Sequence, residues 1–159
     1  MRMSKLEDLG TTTGEIKERG DQVKEEGEQD LEEATTFKGV LDGIDVLDED
    51  TQMIVDTATE GAQEVAREQR ENIQTSMESV EDNLNDISEE ALGYADIEHG
   101  NAENISNTSG DYDSVASQAE SSFEQHAEQF EESGETAQEL SNEFKDIADD
   151  LDSKLESLF

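Results

Sequence analysis

Cysteine, proline and tryptophan are absent from this sequence, aromatic residues make up 4% of it, and 10 Lys and Arg stand against 45 Asp and Glu. Without cysteine there is no disulfide, no thiolate metal site and no cysteine nucleophile. Without proline, no residue interrupts a long helix by removing a backbone donor. With 31% hydrophobic residues the chain has little material for a thick globular core, so a narrow seam between helices is the better expectation. The scarcity of cations excludes capture of nucleic acid, anionic membrane surfaces and phosphate-rich ligands, all of which need clustered Lys and Arg. No stretch approaches the roughly 20 apolar residues of a membrane span, and residues 1–10 contain no apolar run that could act as a signal-peptide core. No membrane insertion is therefore expected, and the protein is placed in the cytoplasm or, by a leaderless route, outside the cell.

What the sequence does contain is a seven-residue hydrophobic rhythm under a formal charge of -35. The mean hydropathy of -0.88 would suit a disordered chain, but the periodicity argues for helices. The first helix is expected over about residues 4–40, with Ser4 capping it and Glu7 reaching back in a capping box. Its two rows are Leu6, Thr13, Gly20, Gly27, Ala34, Leu41 and Leu9, Ile16, Val23, Asp30, Phe37, Ile44. The small residues in mid-row would let a neighbouring helix approach closely.

An acidic, glycine-bearing turn follows, and Asp48 or Asp50 can cap a second helix over about residues 49–97. Its inner stripe is Thr51, Ile54, Ala58, Ala62, Val65, Gln69, Ile73, Val80, Leu84, Ile87, Ala91 and Tyr94, with a register slip between Val65 and Ile73. Residues 98–111 are polar and read as a loop. The third helix, about residues 111–158, carries Ala116, Phe123, Phe130, Ala137, Phe144, Leu151, Leu158 in one row and Ala119, His126, Ser133, Leu140, Ile147, Lys154 in the other. The fold expected is all-α: three long, mainly antiparallel helices in one elongated coiled-coil-like module spanning residues 1–159. Phe123, Phe130, Phe144 and Leu151 are the candidate anchors of the core or of a partner seam.

Chemistry finds little support. Of the two His, His126 falls on the seam of the third helix as a structural residue and His99 falls in the expected loop. Asp42, Asp45, Asp48 and Asp50 cluster in the first turn without the alternating register of a calcium loop. The chain is read as no enzyme, with no catalytic residue, no cofactor and no metal site.

Two short motifs carry a family resemblance. Phe37-Lys38-Gly39 falls at the end of the first helix and Tyr94-Ala95-Asp96-Ile97-Glu98 at the end of the second. This arrangement resembles the WXG-type helical hairpins of type VII secretion and their LXG-type relatives, which place an aromatic-x-Gly turn between two helices and a YxxxD/E signal after them. The resemblance covers residues 1–100, with Phe where the family prefers Trp and a third helix beyond the hairpin. It implies an export signal at Tyr94 and Glu98, a turn motif at Phe37 and Gly39, and a paired helical partner.

The functional expectation is accordingly a noncatalytic helical interaction protein, most concretely a type VII-like secretion substrate or toxin-associated targeting partner. Its partner would be another helical chain, in a hetero- or homo-oligomer. An acidic structural or assembly component of a halophilic organism or its virus is the first alternative, and a DNA-mimicking inhibitor the second.

Overall fold

The computed structural model describes residues 2–107 and 113–159. Among these the chain forms three α-helices and no strand: α1 (Arg2–Asp42), α2 (Glu49–Asn107) and α3 (Asp113–Leu158). The fold is the all-α bundle that the rhythm predicts. Contacts divide it into two compact units, the first made of residues 1–17 and 81–142, the second of 18–80 and 143–159. Each unit takes one stretch from every helix, where the sequence reading treats the chain as a single module.

In the first unit, α2 and α3 run antiparallel. Glu81 meets Ser141, Asn85 meets Gln138, and Tyr94 meets Phe130, so contacts advance along one helix as they retreat along the other. Small residues make this approach close: Ala91, Ala95 and Ala102 on α2 and Ala127 and Ala137 on α3 are buried. Gly134 belongs to the same face, since a Cβ there would lie 3.1 Å from Leu92 Cγ and 3.2 Å from the Ser88 carbonyl oxygen.

In the second unit, α1 runs parallel to α3. Gly20 packs on Phe144 and Gly27 on Leu151, a step of seven residues along both helices. Gly27 also faces Ile73 of α2. Ala66, Ile73, Met77 and Val80 of α2 close the core against Phe144, Ala148, Leu151 and Leu155 of α3, and each large side chain fully buried there is worth about 1.5–3 kcal/mol.

Several helix details differ from the sequence expectation. Ser4 lies inside the first turn of α1 rather than before it, because the helix begins at Arg2. Residues 98–107, expected as loop, continue α2; Glu98, Ala102 and Ile105 extend the inward stripe of Ala91 and Ala95, and an acid in that stripe disguises it. The remainder of the expected loop, 108–111, lies outside the described residues. The slip expected between Val65 and Ile73 is absent: Ala66 occupies the seam, Val65 is 54% exposed, and Ala66, Ile73, Met77, Val80 and Leu84 keep a heptad.

The second row of α3 is also displaced. Ala127, Gly134, Ser141, Ala148 and Leu155 are buried, whereas His126, Ser133, Leu140 and Ile147 are half-buried and Lys154 is exposed. A helix with two neighbours needs contact positions on both sides of its stripe, so one apolar row beside Phe130 and Phe144 cannot suffice. The N-cap of α2 is Asp48, whose Oδ1 accepts from the Thr51 amide at 2.7 Å; this bond holds its carboxyl below the ordinary value.

Because the Phe144 ring is 1% exposed and occupies the space of a Cβ on Gly20, it has no free direction in which to yield. Gly20→Ala is expected to destabilise by about 1–3 kcal/mol through overpacking, although Ala is the better helix former. Gly10→Ala, where a Cβ meets nothing within 4 Å, should instead stabilise by about 0.5–1 kcal/mol. Urea unfolding of both variants measures the opposite signs.

Candidate functional site

Two places concentrate side chains that are neither plain core nor plain solvated surface. The first lies in the first unit, around the end of α2. Tyr94 is half-buried and stacks on Phe130, ring centroids 5.2 Å apart. Lys5 of α1 sits 5.6 Å above the Tyr94 ring and 3.2 Å from Glu90, which holds its ammonium above the ordinary value, chiefly through the Glu90 bond. Glu98, one turn after Tyr94 on the same face, is 2% exposed. The two positions of the expected export signal thus face the interior of this unit.

His99 stands beside them, in α2 and not in a loop. Its Nδ1 lies 3.1 Å from Glu124 Oε2 and its Nε2 lies 3.1 Å from Glu131 Oε1. Both carboxylates come from α3, seven residues apart. Only the imidazolium can donate to both at once, because the neutral ring carries a single N–H. The Glu131 hydrogen bond, with the field of Glu124, holds His99 above its usual 6.5.

The second place is the end of the second unit nearest the α1–α2 turn. The chain leaves α1 through amide bonds from Gly43 to the Gly39 and Val40 carbonyls. Phe37 and Gly39 belong to the last turns of α1: Phe37 is 43% exposed, and a Cβ on Gly39 would meet nothing within 4 Å. Around the turn Val40, Ile44, Val46, Leu47, Met53 and Ile54 are all exposed, Leu47 to 86%. Beside them lies a groove of about 550 Å³. Ala34 and Phe37 of α1 form one wall, Ala58, Gly61, Ala62 and Val65 of α2 the other, and Phe159 closes one end.

Gln69 marks the inner limit of the groove. Its Oε1 is buried without a donor, while its amide serves Asp30 of α1. Asp30 breaks its hydrophobic row and is half-buried; burial raises its carboxyl above the ordinary value, with Glu33 and Glu26 adding repulsion.

The four anchor candidates divide between the units. Phe130 in the first, and Phe144 and Leu151 in the second, are buried by neighbours within the chain, and Phe123 is half-buried. His126 is half-buried, with Nδ1 lacking a partner. Asp42, Asp45, Asp48 and Asp50 do not converge: among the described residues no group of three or more His, Cys, Asp or Glu is arranged to hold a metal ion, and no helix is long and apolar enough to cross a membrane. Comparison with protein-family models, curated proteins and solved structures found no match for this chain.

Two pH responses follow from these environments. A His raised in the folded state adds stability that is complete below about pH 6.5 and lost as pH rises through the folded value. The melting temperature should therefore fall across that window, and His99→Gln should flatten the fall, as thermal unfolding followed by circular dichroism from about pH 6 to about pH 9 will show. Asp30 obeys the same sign at acid pH. Its raised value favours the native state below 3.8 and loses that contribution as pH rises, so Asp30→Asn should melt higher than the wild type at neutral pH and lose the advantage in acid.

Proposed function

We propose that this chain is a noncatalytic helical interaction protein that engages a second chain through the α1–α2 end of its second unit. The observation that carries the reading is the exposure of Leu47, Ile54, Met53 and Val40 at 86%, 65%, 63% and 57% in one neighbourhood of the sequence. Leu84, Val80, Met77 and Leu155, by contrast, are at most 1% exposed, and the large apolar side chains exposed away from this end, Leu92, Ile97 and Val115 at 43%, 56% and 64%, belong to the first unit. A contiguous apolar face on an otherwise charged surface is the usual mark of a protein contact.

The narrower reading, a type VII-like secretion substrate or targeting partner, rests on the resemblance of Phe37-x-Gly39 and Tyr94-xxx-Glu98. Under that reading the export machinery has to reach Tyr94 and Glu98, which requires the last turns of α2 to leave Phe130. The apolar turn end supports the broader reading without any such step.

A photocrosslinking amino acid placed at Leu47 or Ile54, in cells of the protein's own source, is expected to trap a discrete second protein. The same group at Ser153, on the exposed polar surface of α3, should trap none. Identical products at all three positions, or none at any, would remove the basis of the proposal.

A further inference from the structure

Within the second unit α3 lies against Gly20 and Gly27 of α1 and against Ile73 and Arg70 of α2. Gln63 of α2 donates to the Phe159 carbonyl oxygen at 3.3 Å. The same faces of α1 and α2 carry further small residues. Ala34 is the next member of the row Gly20, Gly27, and Ala62 and Ala58 follow on α2. The groove they line with Phe37 and Val65 has a helix on either side and small residues on its floor. Small floor residues admit a helix at close range and leave its large side chains to fill the space.

The charge around this slot selects the occupant. Residues 30–70 hold twelve acids and three bases. Each base already touches a carboxylate: Lys38 lies 2.6 Å from Asp42, Arg67 lies 3.6 Å from Glu64, and Arg70 pairs with Asp152 and Glu156. Glu33 lines the groove, and Glu60, Glu64 and Glu68 are exposed on α2 at its level. A second copy of this chain, with its charge of -35, would bring acids against acids.

We infer that the groove between Ala34, Phe37, Ala58, Ala62 and Val65 receives a basic amphipathic helix from a different protein, its apolar stripe on the groove floor and its flanking Lys or Arg beside Glu33 and Glu64. The inference rests on the reading of this chain as an interaction protein, and it adds where the partner docks and what chemistry it carries.

The test uses peptides of about 18 residues, roughly five helical turns. One has a Leu stripe flanked by Lys, one has the same composition scrambled, and one has the Leu stripe flanked by Glu. Fluorescence anisotropy with the full chain at about 0.15 M salt should show the Leu/Lys helix binding one per chain, at least tenfold more tightly than either control. Ala62→Glu supplies the decisive contrast, because it adds a negative charge while closing the apolar floor. Binding through the groove weakens at least tenfold in that variant; binding by charge alone strengthens. Val65→Glu, at a position already 54% exposed, serves as the second variant if Ala62→Glu alters the helical signal in circular dichroism.

Equal binding of the scrambled peptide, equal binding of the Leu/Glu helix, or no loss in the Glu variants would overturn the inference. So would sedimentation showing a dimer of this chain that Ala62→Glu dissolves. Crosslinks at Leu47 or Ile54 to a protein without such a helix would overturn it while leaving the interaction reading intact; absence of both crosslinks and peptide binding would remove the two together.

Discussion

The approach of α1 to α3 across glycine is the constraint on which the second unit depends. Gly20 and Gly27 contribute no side chain, and they let Phe144 and Leu151 fill the space at the α1 backbone. Each Gly costs about 1 kcal/mol of helix stability relative to Ala, whereas each buried Phe or Leu returns about 1.5–3 kcal/mol. The exchange is favourable only while the helices stay at this separation, so the packing distance and the glycine positions require one another. It also explains how α1 can be a long helix with few large apolar residues: it acts as a cover for side chains supplied by α2 and α3.

That cover was legible in the heptad rows. Gly20 and Gly27 fall in register with Leu6, Thr13 and Leu41, and Phe130, Phe144 and Leu151 fall in register with each other, so these particular core positions follow from spacing alone. Two of the departures share a cause, a polar side chain set in an inward stripe. Glu98, Ser88 and Ser141 are buried at 2–3%, although their polarity is that of outward positions. Treating residues 98–107 as loop, and overlooking the α3 row through Ser141, are both consequences. The setting of His99 is not legible in the sequence: its partners Glu124 and Glu131 lie on another helix, and no spacing within α2 reveals them. Of the groove, Phe37 is visible as a motif residue and Ala58, Ala62 and Val65 as stripe residues, but that they line one groove together is a fact of packing.

Electrostatics follows the same division between faces. With 45 acids and 10 Lys and Arg, most carboxylates have no cation to meet and remain in water, where isolated surface charges contribute little. Among the described residues Lys5, Arg70 and His99 are instead placed between helices. Lys5 joins α1 to Glu90, Arg70 joins α2 to Asp152 with bonds of 2.7 and 3.1 Å, and His99 joins α2 to two glutamates of α3. Arg70 is the best placed, because its two-bond geometry matches a carboxylate and both groups are partly shielded, with side chains 27% and 19% exposed. In each case a scarce cation relieves repulsion where two acidic helices come close, which is where relief has most effect.

The apolar end of the second unit is informative against this background. A chain with 31% hydrophobic residues has few to leave outside, yet Leu47, Met53 and Ile54 are more exposed than covered. On an ordinary surface such a patch would favour self-association. Here the surrounding carboxylates oppose it, because burying the patch against an identical chain gathers like charges over a distance too short for screening, the Debye length being about 8 Å at physiological salt. The repulsion that opposes pairing of copies becomes, under the proposed reading, attraction for a partner of opposite charge. Under the proposed reading the acidity therefore sets specificity at the groove and leaves the apolar floor to supply the affinity.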